Sequence, residues 1–246
     1  MLLRNWVRAL LTPWPLAGVF GLPRYFRHWR EYAAASRSGA PRFADSLPCL
    51  GDWTSNTPFD PHYFYQGAWL ARRIAARRPL KHVDVGSSVL TLSVLSATTE
   101  MLHIDYRPLE AQLPGLHCEA GDILHLKFPD RSVDSLSCLH VIEHIGLGRY
   151  GDPIDPQGAR KAAAELARVL APGGRLLFST PVGRERTCLN AHRVFAPESV
   201  PAMFAPLRLE SFSLVDDAGA FREGAALEVA RSLEYGCGMF EFTRAG

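Results

Sequence analysis

The sequence predicts an α/β protein: a doubly wound, mostly parallel seven-stranded sheet preceded by an irregular N-terminal extension. Three observations carry this expectation. Short apolar runs alternate with amphipathic helical stretches from about residue 61 onward. Several of those runs finish in glycine or aspartate, as strands do where a parallel sheet presents its ligand edge. The length, 246 residues, suits one such domain (61–246) plus an extension (1–60).

The elements follow in order. Gln66 to Arg78 reads as a helix, with Leu70 and Ile74 four apart and Pro79 behind it. His82-Val-Asp-Val-Gly86 is a buried-strand signal ending in glycine. Val89 to Ala97 has mixed propensity, but its place between two strands makes it a crossover helix. Met101 to Asp105 is a second strand, Leu116 to Glu119 a third and Val133 to Leu139 a fourth. Ala159 to Leu170 puts Ala162, Leu166, Val169 and Leu170 on one helical face. Pro172-Gly173-Gly174 stops that helix, and Arg175 to Ser179 is the fifth strand. Arg208 to Val215 and Met239 to Thr243 complete the seven, with no strong helix between them.

The composition is that of an ordinary globular chain: 47% hydrophobic, 21% charged, net charge +2. So even a balance argues against a nucleic-acid partner. The five cysteines are scattered and form no C-x-x-C pair, which fits a reducing compartment, the cytoplasm, better than a disulfide scaffold. Residues 1–30 carry Arg4, Arg8, Arg24, Arg27 and Arg30 and no acidic residue. Between Arg8 and Arg24 the run ALLTPWPLAGVFGLP is too short and too interrupted by proline and glycine to span a membrane. It is expected either to pack as an irregular arm or to touch a membrane surface peripherally. The sequence is silent on oligomeric state.

The chemistry sits at the strand ends. Gly86 follows a buried strand, where a ligand can approach the backbone and the next helix offers its N-terminal amides. Asp105 lies 19 positions on, at the end of the second strand, where a carboxylate can accept both hydroxyls of a ribose. Asp122, after the third, could reach an adenine amino group. Each alone reads equally as a turn former or cap; their order and spacing make the case. The fingerprint G-x-G-x-x-G of dinucleotide dehydrogenases is absent, since Ser87, Ser88, Val89, Leu90 and Thr91 follow Gly86.

From about Val83 onward the chain resembles the class I S-adenosylmethionine-dependent methyltransferases, whose fold is Rossmann-like. LARVLAPGGRLLFSTP and the pairing of VDSL with LHVIEHI are the most specific matches. The resemblance implies S-adenosyl-L-methionine as cofactor. Asp84 and Gly86 would cradle its methionine part together with Ser87 and Ser88, Asp105 its ribose and Asp122 its adenine, with Leu139 beside it. Ser88 and Leu90 stand where that family has glycines, which carries a second expectation: a catalytically inactive binding or scaffolding protein of the same fold. The strings HVDVGSS, EHIGLGRYGDP and NAHRVF further resemble a little-characterised methyltransferase-like family of unknown substrate, sometimes found in surface-glycan gene neighbourhoods. That likeness reaches upstream into FDPHYFYQGAW.

His140, Glu143 and His144 spell H-x-x-E-H, the ligand pattern of the inverted zincins. Glycines at 146, 148 and 151 leave little room for the stable helix that such a zinc hydrolase needs, so zinc hydrolysis stands as a minor alternative and no metal ligand is assigned. As a turn beside the activated methyl group, the segment supplies either His144 or His140 as general base, with Glu143 polarising its neighbour. The three also read simply as satisfied hydrogen-bonding residues at a sheet end. Arg149, Tyr150 and Asp152 in the glycine-rich loop, and Asn190, His192 and Arg193 after the fifth strand, are the candidate acceptor-binding residues. This inventory suits a small-molecule or glycan acceptor methylated on a hydroxyl oxygen, and a carboxylate or phosphate as well.

Overall fold

The computed structural model describes residues 15–246, and the part of the N-terminal arm that includes Arg4 and Arg8 lies outside them. The chain divides into two compact units, 1–59 and 60–246.

The first unit is not irregular as expected. Pro15–Ala35 forms helix α1, twenty-one residues long with Pro23 inside it. Proline and glycine punctuation argued against a helix there. Local packing within the unit overrides it: at Gly21 a Cβ would come 2.9 Å from the Leu50 carbonyl oxygen, so the helix passes that segment only because the side chain is missing. Arg24 donates to the same carbonyl at 3.0 Å, and its guanidinium lies 4.3 Å from the Trp53 ring centroid. No helix among the described residues is long and apolar enough to cross a membrane.

The second unit begins with α2 (Pro61–Arg77), five residues earlier than its apolar spacing indicated. Pro61 occupies the first turn and the Asp60 side chain accepts from Tyr63 N, the start signals of a helix. Then come β1 (Lys81–Val85), α3 (Val89–Leu95), β2 (Glu100–Asp105), β3 (Leu116–Ala120) and β4 (Val133–Leu139). After α4 (Gly158–Val169), β5 runs over Leu170–Val182. The strand therefore absorbs Pro172-Gly173-Gly174 instead of starting behind it. The short β6 (Arg186–Cys188) and β7 (His192–Val194) form a separate hairpin, followed by α5 (Ser199–Met203), β8 (Arg208–Val215), β9 (Phe221–Arg222) and β10 (Gly236–Thr243).

The main sheet has eight strands in the order β3-β2-β1-β4-β5-β10-β8-β9, not seven; the extra one is the two-residue β9. The pairings from β3 to β5 are parallel, and β10 inserts antiparallel between β5 and β8. Helices cover both faces. One core gathers Leu166, Val169, Phe178, Phe204, Phe240 and their neighbours beneath α4 and α5. The other holds Trp69, Leu70 and Ile74 of α2 and Leu92 and Leu95 of α3.

A buried polar line crosses the three central strands. His82 is wholly buried on β1, with Nδ1 2.7 Å from Ser135 Oγ and Nε2 2.8 Å from Ser137 Oγ. Ser137 donates to Asp84 Oδ2, and Asp84 Oδ1 lies 3.0 Å from His103 Nδ1. Residues 82 and 84 share one face of β1, while the parallel register sets Asp84 opposite both His103 and Ser137. Burial pulls His82 down to about 4, partly opposed by the charge of Asp84. Because the folded value lies below the unfolded one, the unfolded chain takes up the proton first as pH falls. Stability from this group is present above pH ~6.5 and is lost toward pH ~4, by about 3 kcal/mol in all. Denaturant titrations of His82→Gln should therefore show a shallower loss of unfolding free energy between neutral pH and about pH 5 than the unaltered chain. Equal slopes would mean that His82 is not the titrating group.

A candidate cofactor cavity at the sheet edge

The carboxyl ends of the parallel strands open on a cavity of about 340 Å3. Its wall takes Gly86 from the end of β1, Asp105 from β2, Asp122 from behind β3, and His140 and His144 from the turn after β4. Tyr150 and Asp152 come from the glycine-rich loop.

Gly86 turns the chain with φ +73°, a conformation costly for any residue with a side chain. A Cβ there would also come within 3.0 Å of Val141. Asp105 Oδ1 accepts from Arg107 N at 2.7 Å, while Oδ2 has no hydrogen-bond partner among the described residues. Asp122 is half-exposed; its Oδ1 accepts from Leu124 N at 2.8 Å. Over the mouth, the Arg107 guanidinium lies 4.3 Å from the Tyr150 ring centroid. Arg107 and the exposed Tyr106 carried no signal in sequence, being ordinary residues of a polar loop.

Several residues expected to touch the cofactor do not line the cavity. Asp84 is fully buried and both its oxygens are engaged, Oδ1 also accepting from Ser87 N at 3.0 Å. It shapes the loop from beneath. Ser87 is buried as well, its Oγ accepting from Leu139 N at 2.9 Å, so Ser87 and Leu139 tie β1 to β4. Ser88 precedes α3 without a side-chain cap bond.

The H-x-x-E-H residues sit in a turn, not on a helix. His140 has φ +55° and lies with Nε2 3.2 Å from Cys237 Sγ, whereas His144 Nδ1 lies 2.6 Å from the Ala191 carbonyl oxygen. The two rings are thus drawn to different partners and do not converge as zincin ligands would. Glu143 is buried between them: Oε1 is 3.4 Å from His140 Nδ1 and 3.9 Å from His144 Nε2, with no hydrogen bond. Its Oε2 accepts from Thr180 at 3.4 Å. Burial pushes the Glu143 carboxyl up to about 8. It also pulls His144 down to about 4 and His140 to about 3, the latter helped by neighbouring histidines. Near neutral pH both imidazoles are uncharged.

The loop beyond is self-organised. Asp152 lines the cavity, but its Oδ2 accepts from Gly146 N at 2.7 Å and its Oδ1 from Tyr150 N at 3.2 Å. At Gly146 (φ +79°) a Cβ would lie 2.0 Å from the Asp155 carbonyl oxygen, so only glycine closes this loop. Arg193, expected to meet the acceptor, is buried and spends its guanidinium on backbone carbonyls, including Ile145 O at 2.7 Å. Arg149 is exposed and donates to Ala191 O at 2.9 Å. Asn190 is exposed in the β6–β7 turn, and the His192 ring packs 4.9 Å from that of Tyr235.

Solved structures share this fold. N-methyltransferase NodS from Bradyrhizobium japonicum, solved with S-adenosyl-L-homocysteine, aligns over 88% of this chain and 96% of its own, at 17% identity and TM-score 0.54. A putative methyltransferase from Bacillus halodurans aligns over 73% and 99%, at 13% identity and TM-score 0.52. The fold is that of the class I S-adenosylmethionine-dependent methyltransferases. The [4+2]-cyclase SpnF shares it too, over 74% of this chain and 82% of its own, at 14% identity and TM-score 0.51. The methyltransferase fold by itself therefore does not specify the reaction. Residues 124–220 match a family described as Caenorhabditis protein of unknown function, DUF268, a span that holds the H-x-x-E-H turn and the β6–β7 hairpin. No curated protein matches the chain.

Proposed function

We propose that the protein transfers a methyl group from S-adenosylmethionine to a hydroxyl of a small-molecule or glycan acceptor. The observation that carries this reading is the cavity wall, where Gly86, Asp105 and Asp122 follow one another along the strand ends with His144 beside them. These residues fit the cofactor. Gly86 leaves room for close backbone approach, and Asp105 keeps a carboxylate oxygen for a ribose diol. When bound, S-adenosylmethionine supplies an electrophilic methyl on a sulfonium that is already a good leaving group.

The chain's own task is then to orient the acceptor and take its proton. Of the two candidate bases the geometry favours His144. Its contact with Ala191 O holds the proton on Nδ1, which leaves the Nε2 lone pair as the acceptor. His140 has Cys237 at one ring nitrogen and Glu143 at the other. Tyr150 on the wall, with Arg149, Asn190 and His192 nearby, supplies the polar groups that an acceptor rich in hydroxyls would meet.

A second reading, a protein of this fold that binds without transferring methyl, is favoured by Ser88 and by Leu90, which stands 77% exposed behind the glycine turn. Calorimetry with S-adenosylmethionine and S-adenosylhomocysteine separates the readings from their common ground. Absence of binding at millimolar cofactor removes the transferase. Binding, followed by labelled-methyl transfer to an arrayed set of glycans and nucleotide sugars, establishes it.

A further inference from the structure

Next to the cavity, whose wall includes His140, three metal-capable side chains converge: His62 from the first turn of α2, His140 from the turn after β4, and Cys237 from β10. Their ligand atoms all lie within 4.8 Å of one another. We propose that these residues form a binding site for one zinc-class divalent ion, independent of whether the protein transfers methyl groups.

The donor set is two imidazoles and a thiolate, the borderline-soft combination that selects zinc over magnesium or calcium. Bonds of about 2.0–2.3 Å in a tetrahedron place neighbouring ligand atoms roughly 3.3–3.6 Å apart. His140 Nε2 and Cys237 Sγ already stand 3.2 Å apart. His62 must close by at most about 1.5 Å to reach that spacing. It is partly exposed, at the start of a helix and stacked on Tyr235 with ring centroids 5.3 Å apart, so the adjustment is a side-chain rotation.

The second observation is Glu143. Its Oε1 is a buried carboxyl oxygen with no hydrogen-bond partner among the described residues, 3.4 Å from His140 Nδ1. A leftover acceptor of that kind is costly. A metal on Nε2 would fix the His140 proton on Nδ1, aimed at this oxygen, giving the carboxylate–histidine–metal relay seen behind metal-bound imidazoles. The Cys237 thiol and the Glu143 carboxyl each lose a proton to solvent as the ion binds. Three protein ligands leave a fourth position for water or a ligand atom. His144, the other histidine of H-x-x-E-H, is held by Ala191 and lies outside the set.

The same contacts could be taken for a nucleophile, since a cysteine, a histidine and a glutamate stand in series. Cys237 is fully buried, however, and His62 has no part in such a triad.

The test uses the purified full chain. Zinc competition against a chromophoric chelator should give one ion per chain, and cobalt should give a thiolate-to-metal charge-transfer band. Cys237→Ser should abolish that band, and His62→Ala should weaken affinity about a hundredfold or more. Glu143→Gln should weaken it roughly 10- to 100-fold. Cys188→Ser should change nothing. His62→Ala alters a partly exposed position and decides the matter if Cys237→Ser does not fold. Lack of stoichiometric binding by the folded chain, or affinity indifferent to His62→Ala, overturns the site. So does rapid alkylation of Cys237 that zinc does not slow.

Discussion

Asp105→Ala is expected to eliminate measurable binding of S-adenosylmethionine and S-adenosylhomocysteine while the protein unfolds at nearly the same denaturant concentration. The residue closes β2 at the cavity edge, and only one of its oxygens is engaged, by Arg107 N. Losing that local bond costs about 1 kcal/mol of stability or less. A ribose diol would form two hydrogen bonds to the carboxylate, and bonds to charged groups contribute about 1.5–3 kcal/mol each. Their loss corresponds to a weakening of roughly two orders of magnitude or more. Calorimetry reads the affinity and circular dichroism the fold. Unchanged affinity would show that the cofactor is not held at this strand end.

Asp84→Ala is expected to have the opposite signature, a large loss of stability with the cofactor effect following from it. Alanine leaves Ser87 N, the Ser137 hydroxyl and the His103 imidazole without their common acceptor, all in the buried centre of the sheet. Burial pulls His103 down, but the bond and charge of Asp84 outweigh it and hold the imidazole above its ordinary value. Removing one member of a buried, paired set costs about 3–5 kcal/mol, because the partner stays desolvated and unpaired. A urea midpoint shifted by less than about 1 kcal/mol equivalent would contradict the account. A raised His103 value adds stability below its unfolded pKa that is lost as pH rises through the folded one. That contribution should vanish in the variant, so its stability should fall less than the parent's on moving above neutral pH.

These two aspartates separate what linear order reveals from what it conceals. Both stand at or next to a strand end, and by sequence both were expected to meet the cofactor. Asp105 does line the cavity, because the last residue of a parallel strand emerges at the ligand edge. Asp84, two residues before the turn, lies on the inner face, where strands 19 and 53 positions away close over it. The burial of Arg193 was hidden for a similar reason. A polar string after β5 looks solvent-facing until the hairpin folds it back onto the carbonyls of the H-x-x-E-H turn.

What the sequence by itself determined is the α/β class, the crossover alternation, the positions of β1 to β5, β8 and β10, and Gly86, Asp105 and Asp122 at the strand ends. Those features are local: burial on one or both faces writes a period into the chain, and a strand end needs glycine or a polar residue within a few positions. Only the tertiary structure decided that Pro15–Ala35 is helical, that Asp84, Ser87, Leu139 and Glu143 are buried braces, and that the histidines of H-x-x-E-H turn to different partners. It alone brought His62 and Cys237 to His140, across 78 and 97 positions of chain. No spacing rule reaches that far, because the convergence depends on β10 inserting antiparallel beside β5 and on α2 packing across that face of the sheet.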